Sequence, residues 1–465
     1  MENPKSNFSE WYNEIIEISG LSDKRYPIKG MNVWLPYGLK AMQRIDTIIR
    51  ESVDSKGFQE VSFPVLITRD QLAVEFEHIR GFENEVYWVT KGGREKLDIE
   101  LALRPTSEAA MYGMFSLWIR SHTDLPLRIY QIVSVYRYET KHTRTFIRIR
   151  EIHFFEAHTA HATYEDAEAQ MDEYRRIWSE ISGELCLPYV VNRRPDWDKF
   201  PGAKYTLAFD TVLPGGRSLQ IGTIHEYGDN FARNYDIKYL KDDGTHEYVS
   251  QTTFGMSERL LAAIIGIHGD DKGLIFPPGI APIQVVVVPI PSEGASTEAR
   301  SKEIADGLTR AGIRAYADLR ENYTPGYKYN DWEMRGVPLR IEIGERELKN
   351  GTVTLAMRTG GKKRTVEASK VEDTVREMLG EVKAELSTRS RRHFAQYTFR
   401  AGSLDEIKSR EGMVFANWCG SKDCSDKVEQ VTEFSLLGMV DGSKEDGKCV
   451  VCGDDGKLTA FSKTY

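Results

Sequence analysis

Apolar residues recur along this chain with two different periods, and the changes of period lay out its elements. Phe8, Trp11, Tyr12, Ile15 and Ile18 fall three or four apart, which puts them on one face of a helix that Gly20 ends. Leu39, Met42, Ile45, Ile48, Ile49 and Val53 make a second stripe, stopped by Gly57. Phe58 to Phe63 then reads as a strand closed by Pro64. A third stripe, Met171, Tyr174, Ile177, Trp178, Ile181 and Leu185, predicts a helix that starts at Thr163, with Asp166 as its capping partner, and stops before Pro188. Between these stripes the pattern shortens. Ile129 to Val135 and Phe146 to Ile152 are strand-like and flank a polar, basic stretch from Thr140 to Thr145, which predicts an antiparallel hairpin. Leu219 to His225 and Asn234 to Leu240 predict further antiparallel strands, and Leu260 to Ile267 an apolar helix.

The pattern changes again after Pro277-Pro278-Gly279. Ile283 to Pro289 is a continuous apolar run, as in a parallel strand covered on both faces. A helix (Thr297 to Arg310), a strand (Ile313 to Leu319), a helix around Tyr327 to Arg335 and a strand (Leu339 to Ile343) follow. Asn350-Gly351 reads as a hairpin turn into Thr352 to Met357. This alternation predicts a small α/β domain. Ser369 to Leu386 is a charged helix, and Arg389 to Arg400 adds a basic patch with Phe394, Tyr397 and Phe399 interleaved. Three domains are expected: 1–276, 282–386 and 390–465.

Bulk composition narrows the class. The chain has 465 residues, 40% hydrophobic and 28% charged, as in a water-soluble protein of several domains. No apolar run approaches the roughly 20 residues of a membrane span, and the first ten residues lack a signal-peptide pattern, so a cytoplasmic location with no membrane partner is expected. A net charge of −8 argues against indiscriminate coating of nucleic acid, so any RNA contact needs local basic patches. Four of the five cysteines lie in two close pairs, Cys419 with Cys424 and Cys449 with Cys452, which is the set an all-thiolate structural zinc site requires. Cys186, alone near a helix end, reads as a buried thiol.

The densest chemistry lies between Arg104 and His158. The hairpin brings Arg137 and Arg148 to its mouth, where two guanidiniums grip a phosphate and a carboxylate together. Glu139, two residues on, faces the same side as Arg137, placed to receive an adenine amino group or to orient an arginine. Arg137-Tyr138-Glu139, a loop and Arg148 resemble motif 2 of the class II aminoacyl-tRNA synthetases. The 36–64 segment is similar to motif 1, and Gly255-x-x-x-Arg259 before an apolar helix is similar to motif 3. Arg104-Pro105-Thr106-Ser107-Glu108, Phe155-Glu156-Ala157-His158, Gln220-Ile221-Gly222-Thr223-Ile224-His225 and Asp229-Asn230-Phe231-Ala232 narrow the resemblance. Together these words are similar to the class IIa synthetases specific for proline, of the archaeal and eukaryotic type, over nearly the whole chain.

That resemblance implies an α+β catalytic domain built on an antiparallel sheet, then an α/β anticodon-binding domain and a small zinc-binding α+β domain. It implies ATP-dependent activation of L-proline, transfer to tRNA(Pro), misactivation of alanine, a homodimer, and magnesium with the triphosphate. Catalysis falls to Arg137, Arg148 and Arg259. Glu139, Ile149, Gln220, Thr223 and Ser257 join them around ATP. Thr106, Glu108, Arg137, Glu156, His158 and His225 surround proline; Glu333 and Arg340 read anticodon bases. Glu75 to Phe82 corresponds to a mobile loop over the active site, and a terminal tyrosine, here Tyr465, tucks back toward the catalytic domain. Two positions depart from the family pattern, Phe154 where most relatives have Trp and Ile224 where they have Ser; both bear on pocket shape. Among rival readings, a threonyl enzyme needs a catalytic zinc held by Cys and His, yet Cys186 is the one cysteine of the first domain. Histidyl and glycyl signatures are absent, and a non-catalytic relative would lack the three arginines.

Overall fold

The computed structural model describes residues 2–76, 85–291 and 296–465. Residues 77–82 of the expected active-site loop, His78 among them, lie outside that set. The first domain is organised by an antiparallel sheet in which Leu127–Tyr136, Glu151–His161, Ser250–Ser257, Ser218–Gly228, Tyr205–Val212 and Val190–Arg193 lie side by side. The Gln59–Glu60 strand joins one edge in parallel. Behind the sheet runs the Tyr164–Leu185 helix, capped by Thr163, whose hydroxyl accepts from the Asp166 N–H. Met171, Tyr174, Ile177, Trp178, Ile181 and Leu185 are all fully buried, each contributing about 1.5–3 kcal/mol of apolar burial. The Trp178 ring sits so close to the sheet that a Cβ at Gly222 would lie 2.7 Å from it, so only glycine fits there.

Three expectations are corrected in detail. The second strand of the hairpin begins at Glu151 rather than at Phe146. Arg144 to Arg148 close a tight turn in which buried Phe146 takes a left-handed backbone (φ 62°), so Arg137 and Arg148 sit beyond the paired strands. In the first two helices Ile18 and Leu39 are exposed, while Ile16 takes a core position. Asn350-Gly351 is not a hairpin turn: a short helix, Glu345–Asn350, ends there with Gly351 as its left-handed cap (φ 64°).

The second domain is a five-stranded sheet ordered Ala315–Ala317, Val285–Pro289, Leu339–Ile343, Thr352–Met357 and Arg364–Glu367, parallel through its first three strands. The Val371–Gln396 helix packs on it through Val375, Met378, Val382 and Leu386, and it runs unbroken through the expected boundary near 386–390. The last part of the chain adds its strands to the catalytic sheet. Ser435–Val440 pairs with Val190–Arg193, Asp455–Ser462, Met413–Trp418 and Thr398–Arg400 follow outward, and Asp446–Lys448 pairs with Asp455–Ser462, making twelve strands in one sheet among the described residues. Among the described residues no helix is long and apolar enough to cross a membrane.

His268, at the end of the Arg259–His268 helix, sets a pH dependence. Its Nε2 is 3.2 Å from the Leu185 carbonyl oxygen, its Nδ1 has no partner, and burial lowers its pKa from 6.5 to about 3. Only the unfolded chain takes up a proton there just below pH 6.5, so this contribution to stability is complete above that pH and is lost as pH falls toward about 3. The slope is ~1.4 kcal/mol per pH unit. His268→Gln is expected to flatten the decline of the unfolding midpoint between pH 6.5 and 4.5 relative to the parent, in thermal melts over that range.

Candidate active site

Alternation along the strands gives the sheet two chemically distinct faces. Phe155, Ala157, Phe254, Met256, Ile224, Leu207 and Phe209 point back into the core. Phe154, Glu156 and His158 point the other way, opposite Ser257, Gly255 and Thr253, with Thr223 and His225 on the next strand and Thr206 beyond. This face floors a cavity of about 530 Å³. Ile224 therefore packs behind the sheet and does not shape the cavity, whereas Phe154 lines it. The Phe154 ring also fills the space above Gly255, 2.8 Å from where a Cβ would stand.

Arg137, Arg148 and Arg259 all line this cavity, together with Glu139, Ile149, Gln220, Thr223 and Ser257. Each guanidinium is aimed by a main-chain oxygen. Arg137 Nε donates to Pro105 O at 3.1 Å, Arg259 Nε to Ile147 O at 2.9 Å and Arg259 Nη1 to Gln220 O at 3.2 Å. Arg148 Nη1 donates to Glu139 Oε2 at 2.8 Å and Nη2 to Tyr465 O at 2.7 Å. Glu139 thus orients an arginine, and Tyr465 does turn back to the catalytic sheet. Burial lowers the Arg259 pKa to about 10, and the positive charges of Arg148 and Arg137 push in the same direction. It remains charged at neutral pH while feeling its two neighbours.

At the other end of the cavity two buried carboxylates face inward. Glu108 begins the Glu108–Trp118 helix, where the backbone dipole favours a negative charge. It accepts from Thr106 Oγ1 and from Tyr227 Oη, the latter at 2.8 Å. Glu156 accepts from Ser107 Oγ, from Gln131 Nε2 at 3.1 Å, and lies 3.3 Å from His158 Nε2. Burial works against its charge, but these partners, His158 foremost, hold its pKa below the usual value. His225 packs against Phe200 at 4.8 Å and lies 2.8 Å from Thr206 Oγ1. Burial, then His158, lowers its pKa to about 3, so the ring stays neutral.

Sequence reasoning missed several members of this site. Ser107, Gln131 and Tyr227 position the carboxylates, and Phe200 forms a wall. Arg194 lines the cavity and donates to Gln220 Oε1 at 2.8 Å and to Asp210 Oδ1 at 3.1 Å, which leaves the Gln220 amino group free to turn inward. Both of those bonds come from Nη2, and Nη1 donates to Leu437 O in the C-terminal unit. Glu258 is 2% exposed, has one carboxylate oxygen without a partner, and burial raises its pKa to about 7.

Glu333 and Arg340 lie far along the chain from this cavity and pair with each other at 3.0 Å, with Arg340 4.0 Å over the Tyr329 ring. The four C-terminal cysteines offer sulfurs all within 4.8 Å of one another. A zinc ion with ~2.3 Å bonds to four sulfurs brings them about 3.8 Å apart, so the cluster fits after a small contraction. Burial raises the Cys449 pKa, yet the backbone N–H groups of Cys452, Val451 and Cys419 prevail and bring it down to about 7, whereas burial pushes the Cys424 thiol up. Cys186 is buried and touches Ser387 Oγ at 3.3 Å.

Comparison with known proteins is consistent over the full length. Residues 87–268 match the class II core domain of tRNA synthetases (G, H, P, S and T), residues 284–378 an anticodon binding domain, and residues 404–465 the C-terminal domain of prolyl-tRNA synthetase. The proline–tRNA ligase of Thermoplasma volcanium is 69% identical over all of both chains, and that of Pyrococcus horikoshii 53% over 98% of each. The chain belongs to the prolyl-tRNA synthetase family. Among solved structures, the Giardia lamblia prolyl-tRNA synthetase in complex with prolyl-adenylate superposes with a TM-score of 0.95 at 35% identity, covering 99% of each chain. The Cryptosporidium parvum enzyme complexed with L-proline and AMP gives 0.92 at 32%, covering all of this chain and 97% of that one. Within this synthetase the cysteine cluster gives a direct test. Elemental analysis of the purified synthetase is expected to find about one zinc per chain, and Cys449→Ser to lose it along with several degrees of thermal stability.

Proposed function

We infer that this chain activates L-proline with ATP, giving prolyl-adenylate and pyrophosphate, and then transfers proline to the 3′ end of tRNA(Pro). The observation that carries this reading is one cavity with three guanidiniums at one end and two buried carboxylates at the other. The proline carboxylate is already a nucleophile, so no general base is needed; it attacks the α-phosphorus and pyrophosphate departs. Arg137 bridges the carboxylate and α-phosphate, and Arg148 and Arg259 balance charge on the rest of the triphosphate. Gln220, Thr223, Ile149, Ser257 and Glu139 hold the nucleotide, Gln220 with its amide fixed by Arg194. In the second step the terminal ribose hydroxyl of the tRNA attacks the activated carbonyl and AMP leaves.

The proline ring nitrogen is a secondary ammonium. Glu108 and Thr106 receive it, Glu156 and His158 back them, and neutral His225 forms the ring pocket with Phe200 without repelling the cation. Glu258, with its unpartnered carboxylate oxygen, would hold a magnesium ion, which would neutralise charge on the departing pyrophosphate. Cys419, Cys424, Cys449 and Cys452 would hold a zinc ion with all four positions filled by sulfur, a structural role. Glu333 and Arg340 suit guanine edges in the anticodon. Domains 1–276, 282–386 and 390–465 carry catalysis, anticodon binding and zinc. Exposed Met114, Leu117 and Trp118 on one helix face, and Leu39 on the motif 1 helix, support a homodimer, and the setting is the cytoplasm.

Two measurements test the reading. Pyrophosphate exchange with each of the twenty amino acids should give a strong proline signal. It should also give a detectable alanine signal, because a small apolar pocket discriminates by only about 1–3 kcal/mol per methylene; proline-independent or absent exchange would refute the function. Tyr227→Phe removes one donor from Glu108 and is expected to raise the KM for proline roughly 10- to 100-fold, the range for a hydrogen bond to a charged group, with the KM for ATP little changed.

A further inference from the structure

The cavity and the Glu333–Arg340 pair belong to different domains, yet one side chain ties them. Arg358, which follows the Thr352–Met357 strand, is 2% exposed along its side chain and uses its whole fork. Its Nη1 donates to Asp270 Oδ2 at 2.9 Å, its Nη2 to Asp270 Oδ1, and its Nε to the main-chain oxygen of Glu333 at 2.8 Å. The Glu333 carboxylate is the partner of Arg340. Asp270 stands two residues beyond the Arg259–His268 helix, whose first residue lines the cavity. A ten-residue helix is a rod of about 15 Å, so the two ends move as one piece.

The backbones around this pair are in register as well. Leu274 N donates to Met334 O at 2.9 Å and Phe276 N to Gly336 O at 3.2 Å. A Cβ at Gly273 would lie 2.4 Å from the Met334 Cα, and one at Gly336 2.8 Å from the Leu274 carbonyl carbon. The end of the Pro325–Met334 helix, which carries Glu333, is therefore pressed against the segment leaving the catalytic helix, with no side-chain layer between them. The Arg358 side chain is buried while that of Asp270 is 41% exposed, so the pair adds little net stability; what its bidentate contact adds is a fixed geometry.

We propose that the Asp270–Arg358 pair is a positioning device that couples occupancy of the anticodon-reading pair to the placement of Arg259. This rests on the reading that Glu333 and Arg340 contact the anticodon. A base docking on them shifts the Glu333 main chain, Arg358 follows through its Nε bond, and Asp270 passes the displacement to the helix. The coupling is a free energy between two sites and so must appear as a dependence of charging rate on the anticodon.

The test uses the full-length, zinc-loaded enzyme and compares Asp270→Asn with the parent in three assays. These are proline-dependent pyrophosphate exchange without tRNA, tRNA binding, and aminoacylation of tRNA(Pro) transcripts with native and substituted anticodons. Asp270→Asn is expected to leave exchange and tRNA binding within about two-fold of the parent, while the native-to-substituted ratio of kcat falls at least ten-fold toward one. Arg358→Lys, which keeps the charge and loses the fork, is expected to do the same. An unchanged ratio overturns the coupling, and so does a fall in exchange that matches the fall in charging, since that marks general damage to the helix. A parent enzyme that charges both transcripts alike, or a Glu333→Ala variant that retains full discrimination, instead removes the anticodon reading and the coupling with it.

Discussion

Three positive side chains converge on one cavity that also holds the carboxylates of Glu108 and Glu156, and the fold exists in its present form because it keeps these charges at fixed points. The forces that do so are mostly bonds from guanidinium N–H groups to main-chain oxygens: Pro105, Ile147, Gln220 and Tyr465. Carbonyl oxygens orient a guanidinium without cancelling its charge, whereas carboxylates would neutralise the field a triphosphate needs. Arg148 differs, pairing with the Glu139 carboxylate as well as with Tyr465 O. Preorganised charge of this kind is effective because no reorganisation is left for the moment of reaction.

Holding main-chain oxygens at fixed points requires a rigid frame, and the antiparallel sheet supplies it. One set of alternating positions packs on Trp178, Tyr174 and the rest of the Tyr164–Leu185 helix, while the other set faces the substrate. Register is the link between stability and chemistry, since a slip of one residue would send Glu156 and His158 into the core and Phe155 into the cavity. Bulges at Phe209/Asp210 and Glu226/Gly228 adjust that alternation locally.

Much of this was legible in the chain. The helical stripe at Met171 to Leu185, the basic hairpin and the cysteine pairs each have a physical signature that needs no partner elsewhere. Tyr227, Arg194 and Gln131 do not. Gln131 and Tyr227 lie within strands and Arg194 one residue past one, and their roles depend on which strand lies alongside and where a bulge falls. Asn350-Gly351 is ambiguous in sequence because a hairpin turn and a helix cap both call for a residue with positive φ, so the local signal is the same. Ile18 and Ile16 are two apolar residues close together on one helix, and only the neighbouring core decides which one it takes.

Five of the twelve strands in the shared sheet come from the last seventy or so residues, and Ser435–Val440 is the one that covers Val190–Arg193. During synthesis the catalytic sheet therefore waits, with a row of open N–H and C=O groups along Val190–Arg193, until the cysteine-bearing segment has emerged. Bare edges of that sort recruit other chains. The zinc-type unit is thus the seam that seals the nascent enzyme, and a ribosome that stalls short of it leaves behind a sheet ready to pair with a stranger.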